Sequence, residues 1–194
     1  MELILIRHGL PQRIERRDGA PADPPLSEHG RDQATLVGGL LARETIDAVY
    51  ASPMRRAFET ADPFAAMTDM RVEIEAGVAE FDQHSDTYIP MEELKRLDYE
   101  QWRVAVQGGF EAEHDIAAFR DVVVESLERI IGSHQGGRVA VFCHGGVINI
   151  WTAHLLGMGP RLFFQPDYTS VNRYLCARTG ERNLVSLNET GHLK

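Results

Sequence analysis

Hydrophobic and polar positions alternate along the chain in blocks that change period. Glu2 to Ile6 carries Leu-Ile-Leu-Ile without a polar interruption, which predicts a short strand buried on both faces and ended by Arg7-His8-Gly9. Residues 11 to 25 shift to charged residues with Gly19, Pro21, Pro24 and Pro25, the composition of a surface loop. Ser27 then caps an expected helix from Glu28 to Ala42, with Ala34, Val37 and Leu41 on one face. Asp47 to Ala51 reads as a second strand, and Ser52-Pro53 as the cap and first position of the next helix, whose opening turn holds Arg55 and Arg56.

A short strand from Arg71 to Ile74 precedes the aperiodic stretch Gly77 to Pro90. Met91 to Val106 is read as one amphipathic helix through Met91, Leu94, Leu97, Trp102 and Ala105. His114 to Gly132 has the strongest helical spacing. Arg138 to Cys143 is a second continuous apolar run, ended by His144-Gly145-Gly146 and followed by a helix from Val147 to Leu156. Tyr168 to Ala177 and Arg182 to Leu187, separated by Thr179-Gly180, predict a hairpin at one edge of the sheet. The pattern is that of an α/β protein in one domain over 1–194, a three-layer α/β/α sandwich around a mostly parallel sheet, with 77–112 as an inserted cap or lid.

Composition narrows the picture. A chain of 194 residues with 43% hydrophobic content builds its own core, burying about 70% of its unfolded surface. The net charge of −9 leaves no basic footprint for nucleic acid or an anionic membrane. No apolar run reaches the roughly 18 residues of a membrane span, and the N-terminus lacks the basic lead and long apolar core of a signal peptide. Cys143 and Cys176 form no CxxC pair and read as reduced, buried residues, so the cytoplasm is the expected compartment. A homodimer is the base-rate expectation.

In open α/β sheets ligands bind outside the carboxyl ends of the strands, where this chain places Arg7-His8-Gly9 and His144-Gly145-Gly146. With Arg56 in the first turn of another helix, the ensemble is a pocket of two histidines, two arginines and helix N-termini, suited to phosphate.

These segments resemble the histidine phosphatase superfamily, also described as phosphoglycerate-mutase-like. The resemblance runs through Leu-Ile-Arg7-His8-Gly9, Pro25-Leu-Ser-Glu-His-Gly30-Arg-Asp-Gln33-Ala, Ala51-Ser-Pro-Met-Arg55-Arg56-Ala-Phe-Glu-Thr60-Ala61, Val78-Ala-Glu80-Phe, Phe142-Cys-His144-Gly-Gly and Leu187-Asn-Glu-Thr-Gly-His192-Leu. It implies that His8 is the nucleophile, that Arg7, Arg56, His144 and Gly145 surround the phosphate, and that Glu80 protonates the leaving alcohol, which requires a carboxyl pKa raised above its usual range. Arg55 is then a surface ion-pair residue. Leu10, Pro11 and Ile14 stand where many members carry polar phosphate ligands, leaving Gln12, Arg13 or backbone groups to substitute, and His84 is a candidate contact to the leaving group.

The implied activity is hydrolysis of a small phosphorylated metabolite through phosphohistidine, with no metal and no cofactor. Three alternatives stay open: a cofactor-dependent phosphoglycerate mutase, a phosphoprotein phosphatase, and a non-catalytic phosphate-binding or interaction module. Residues 77 to 112 hold only Lys95, Arg96 and Arg103 as fixed cations, which favours a phosphatase over a mutase. A metal-dependent hydrolase built from the eight histidines lacks any ligand-spacing motif.

Overall fold

The computed structural model describes residues 1–104 and 115–194. Its centre is a six-stranded sheet made of β1 (Glu2–Arg7), β3 (Ala48–Ala51), β4 (Val72–Ile74), β6 (Arg138–Cys143), β7 (Val171–Cys176) and β8 (Arg182–Glu189), in the spatial order β4-β3-β6-β1-β7-β8. The first four strands in that order run parallel, while β7 and β8 form the antiparallel edge expected of the terminal hairpin. A separate two-stranded ribbon pairs β2 (Ile14–Glu15) with β5 (Thr87–Tyr88).

The continuous apolar runs of β1 and β6 follow from their central positions. Leu3, Leu5, Val139, Val141 and Cys143 face a core shared with α5 (Ile116–Ser133) and α6 (Gly145–Leu155), including Val123, Leu127, Ile148 and Trp151. Ile4, Ile6, Ala140 and Phe142 face the opposite core, where α1 (Glu28–Leu41) and α2 (Arg55–Thr68) contribute Val37, Leu41 and Phe64. Alternate residues of one strand thus serve two cores, which removes any polar period from the sequence. The layers are α/β/α, as the element pattern predicts.

Several boundaries move for physical reasons. Ser52 does not cap α2; Met54 occupies that position without a side-chain cap, and the Ser52 hydroxyl is used elsewhere. The helix expected over Met91–Val106 is two helices, α3 (Met91–Leu97) and α4 (Tyr99–Val104), divided at Asp98. Asp98 adopts an extended conformation, and its carboxylate accepts from Gln101 N–H at 2.9 Å, so it starts a new helix where hydrophobic spacing alone continues the old one. Asp115 caps α5 by accepting from Ala118 N–H at 2.9 Å. His114 and residues 105–112 of the expected insertion lie outside the described residues. Among the described residues, no helix is long and apolar enough to cross a membrane.

Ser27 is the cap of α1, and it also fastens the loop that follows β1. Its hydroxyl accepts from Gly30 N–H at 3.0 Å and donates to Leu10 C=O at 2.9 Å. Any Cβ at Gly30 would overlap the Leu10 carbonyl, so this close approach requires glycine. The residues just after His8 are thereby held against the start of a helix.

Candidate active site

Three parallel strands end side by side. Arg7 is the last residue of β1 and sits in register with Cys143, the last of β6. His8 N–H donates to Cys143 C=O at 3.0 Å, and Ser52 N–H, just past β3, donates to Phe142 C=O at 2.9 Å. His144 then caps α6 in an extended conformation. The two histidine rings come to a centroid separation of 5.1 Å although one lies near the start of the chain and the other far along it.

His8 is 2% exposed, and its Nδ1 lies 2.8 Å from Gly9 C=O. A carbonyl only accepts, so this contact assigns the proton to Nδ1 and leaves the Nε2 lone pair for chemistry. Burial, reinforced by Arg56 and Arg7, holds the imidazole well below the ordinary histidine range and keeps it neutral. A neutral ring with a fixed tautomer is what nucleophilic attack needs. Gly9 N–H donates to Thr60 Oγ1 at 2.9 Å, which anchors the following turn to α2.

Arg7 and Arg56 are 5% and 1% exposed. Arg7 Nη1 donates to Pro166 C=O at 2.5 Å, and its guanidinium lies 4.0 Å over the Tyr168 ring. Arg56 Nη2 reaches Asp82 Oδ1 at 3.2 Å, with the guanidinium 4.6 Å from the centre of Tyr88. Arg7 Nε, Arg56 Nε and Nη1, and His144 Nδ1 are buried with no hydrogen-bond partner among the described residues. His144 Nε2 lies 2.8 Å from Ser52 Oγ, which also accepts from Met54 N–H at 3.2 Å. With that backbone donor on its oxygen, the Ser52 hydroxyl is free to give its proton to Nε2, leaving the His144 proton on Nδ1, the orphaned atom. Buried donors without acceptors are costly, and several around one cavity indicate a ligand rich in acceptor oxygens.

Glu80 completes the cluster at 8% exposure. Its Oε2 accepts from Gly146 N–H at 2.9 Å, at the N-terminus of α6, and its Oε1 from Phe81 N–H at 3.3 Å. Burial, reinforced by the charge of Asp82 and opposed by the Gly146 N–H and Arg56, pushes the carboxyl up to about 7. It can therefore hold or release a proton near neutrality. A Cβ at Gly146 would overlap Glu80 Oε1, so glycine here lets the carboxylate lie against the helix N-terminus without shifting.

Arg7, His8, Arg56, Glu80 and Gly145 line a cavity of about 880 Å³, and His84 lies in the same wall. His144 is fully buried behind it. The structure does not bring Gln12 or Arg13 to this lining: Gln12 is exposed and reaches Leu26 C=O at 3.5 Å, and Arg13 is engaged by Glu15 and, at 3.2 Å, by Glu93. Leu10 N–H instead donates to Gln33 Oε1 at 2.9 Å, which explains why that loop turns away. Arg55 is a surface residue paired with Glu59 at 2.5 Å.

Sequence reasoning missed Ser52 as the partner of His144, and Tyr88 and Tyr168 as the aromatic faces that brace Arg56 and Arg7. The adjoining sequence offered one usable signal, a serine directly after a strand end. Tyr88 sits in an aperiodic segment and Tyr168 at the start of an expected strand, and neither offered one. His192, left without a partner by sequence, lies with Nε2 3.1 Å from Thr169 Oγ1, beside the loop that carries Tyr168.

Known proteins resemble this chain over most of its length. A phosphoserine phosphatase 1 from Hydrogenobacter thermophilus is 28% identical over 204 aligned residues, covering 100% of this chain and 94% of that protein. A phosphoglycerate mutase-like protein 4 from Arabidopsis thaliana is 31% identical over 158 residues, covering 76% of this chain and 67% of that protein. Among solved structures, a mutant phosphoserine phosphatase from Entamoeba histolytica in complex with phosphoserine superimposes with a TM-score of 0.77 at 25% identity, covering 100% of this chain and 99% of that one. The family model for the histidine phosphatase superfamily, branch 1, matches residues 3–190. With its histidines, arginines and raised carboxyl gathered at the strand ends, the chain belongs to the histidine phosphatase superfamily.

Proposed function

We propose that this protein is a phosphatase that hydrolyses small phosphomonoesters through a phosphohistidine intermediate, without a metal. The observation that carries the reading is the buried set of unpartnered donors on Arg7, Arg56 and His144 around a neutral His8 whose Nε2 keeps its lone pair. In the first step Nε2 attacks phosphorus and the bond to the alcohol oxygen breaks, with the Glu80 proton passing to that oxygen. Arg7, Arg56 and His144 stabilise the equatorial oxygens. In the second step water attacks phosphorus, its proton goes to the Glu80 carboxylate, and the N–P bond breaks to release inorganic phosphate and regenerate His8.

Fixed cations thus take the part that a metal plays in other phosphatases. Among the described residues, no group of three or more His, Cys, Asp or Glu is placed to hold a metal ion. Relatives named as phosphatases acting on phosphoserine support a small phosphorylated substrate, and an acidic chain of this kind fits a cytoplasmic enzyme independent of nucleic acid and membrane. A mutase would need further cations for a second phosphate. Instead, Lys95 lies 4.5 Å over the Trp102 ring and Arg103 pairs with Glu100 at 2.8 Å, and neither lines the cavity.

The test compares wild type, His8→Ala and wild type with EDTA on an aryl phosphate and a panel of small phosphomonoesters. Turnover is expected to fall by at least about 10⁴-fold in His8→Ala and to be unchanged by EDTA. A rapid alkaline quench should trap an acid-labile phosphoenzyme in wild type only. Turnover retained in His8→Ala, or lost with EDTA, overturns the reading.

A further inference from the structure

The part of the cavity beyond the phosphate cradle has its own character. Of the lysines and arginines among the described residues, only Arg7 and Arg56 line it, and both are committed to the phosphoryl group. Residues 105–114 contain no lysine or arginine in their sequence. The acids that line it are Glu80, which keeps its proton until the leaving group departs, and Asp82, which lies 3.2 Å from Arg56. A second carboxylate or phosphate on the substrate would meet acids and no fixed cation, in a setting where uncompensated charge is costly.

What the cavity offers is apolar surface and neutral hydrogen bonds. Tyr88, Ile89, Met91, Leu94, Phe163 and Phe164 form much of the wall. Phe163 and Phe164 are held in place by Asn149, whose Oδ1 accepts from both backbone N–H groups at 2.8 and 3.1 Å, while its Nδ2 donates to Phe164 C=O at 2.9 Å. The two rings pack with centroids 5.1 Å apart. Gln101, Gln165 and Ser85 add hydrogen-bonding capacity without fixed charge. The volume of about 880 Å³ is in the range of pockets that bury a drug-sized ligand, well beyond a three-carbon phosphate ester.

Building on the hydrolase reading above, we infer that the preferred substrate is the phosphomonoester of a bulky, uncharged alcohol with an aromatic or apolar body, and that phosphoserine and phosphoglycerate are poor substrates. Asp82 contributes by repelling a second anion, and the Phe163 wall by packing on the body of the leaving group. Each feature acts on the specificity constant and neither on the nucleophile.

The experiment measures kcat/KM for four primary alkyl esters, so that leaving-group reactivity varies little: 2-phenylethyl phosphate, ethyl phosphate, O-phosphoserine and 3-phosphoglycerate. For wild type, 2-phenylethyl phosphate is expected to exceed 3-phosphoglycerate by at least about 30-fold, the scale of a few favourable contacts plus one like-charge penalty, and O-phosphoserine, whose body is zwitterionic and lacks the apolar contacts, by about tenfold. Phe163→Ala should lower kcat/KM for 2-phenylethyl phosphate about tenfold and leave ethyl phosphate nearly unchanged. Asp82→Asn should narrow the gap between 3-phosphoglycerate and 2-phenylethyl phosphate several-fold. Equal or better turnover of O-phosphoserine or 3-phosphoglycerate overturns the specificity inference and leaves the hydrolase reading intact. No turnover of any ester, together with no trapped phosphoenzyme, overturns both.

Discussion

Arg56 and Arg173 are the same residue type in opposite circumstances. Arg173 lies where β7 meets the neighbouring strands and is fully engaged: Glu2 at 3.0 Å, Glu44 at 2.6 Å and Glu189 at 3.2 Å, with Arg138 joining Glu2 from the next strand but one at 2.5 Å. Arg56 is more deeply buried, yet among the described residues two of its three nitrogens have no partner and the third has a single contact to Asp82. The first arrangement ties strand ends together and is complete as it stands. The second is incomplete in the folded protein and becomes satisfied only when oxygens arrive from a substrate, so its energetic return lies in binding and not in folding.

That contrast can be broken at several points. Arg56→Met should lower kcat/KM by about 10³-fold, in line with the loss of charged donors from a transition-state site, while leaving the melting temperature level or higher because a buried guanidinium with two unsatisfied nitrogens and one partly exposed partner, Asp82, is gone. A large loss of stability with little loss of activity would reverse the assignment.

Glu80→Gln should reduce turnover by about 10² to 10⁴-fold. Its effect on stability should have the opposite sign. A carboxyl raised from 4.5 to about 7 binds its proton more tightly in the folded state, so this group's contribution to stability falls as pH rises from about 4.5 through about 7. Wild type should therefore lose up to roughly 3 kcal/mol over that window from this group, and Glu80→Gln should lack that component. Denaturant melts at pH 5 and pH 8 check it. The same proton predicts that wild-type kcat/KM declines above about pH 7, a limb absent from the residual activity of the glutamine variant.

At the structural pole, Arg173→Met should cost about 2 kcal/mol, because three half-buried carboxylates lose their common partner, and should leave kcat/KM within about twofold. Chemical denaturation and steady-state kinetics on the same preparation separate the two readouts. The smallest effect belongs to Arg55→Ala: its exposed pair with Glu59 should contribute less than about 1 kcal/mol and nothing to turnover, although it adjoins Arg56 in sequence.

The same division explains what was readable in the sequence. β1 and β6 were legible because a central strand with cores on both faces must be apolar throughout, and His8 and His144 were legible because they stand where those runs stop. Arg56 was legible from its place in the first helical turn after a strand, Glu80 only through motif resemblance, and both line the cavity. Gln12 and Arg13 were misplaced because proximity to His8 in sequence says nothing about a loop that Ser27 and Gln33 pull toward α1. The break between α3 and α4 was hidden because hydrophobic spacing carries across Asp98 while its capping preference does not register in that period. Tyr88 and Tyr168 were invisible since stacking on an arginine leaves no periodic trace.

The register of β1 against β6 has a consequence for folding kinetics. Arg7 meets Cys143 only after almost three quarters of the chain has been made, and parallel pairing over such a separation is entropically slow to form. No nascent fragment ending before β6 can therefore assemble both histidines. Recovery of turnover during refolding is then a clock for the longest-range step of the fold, independent of how early the local helices appear.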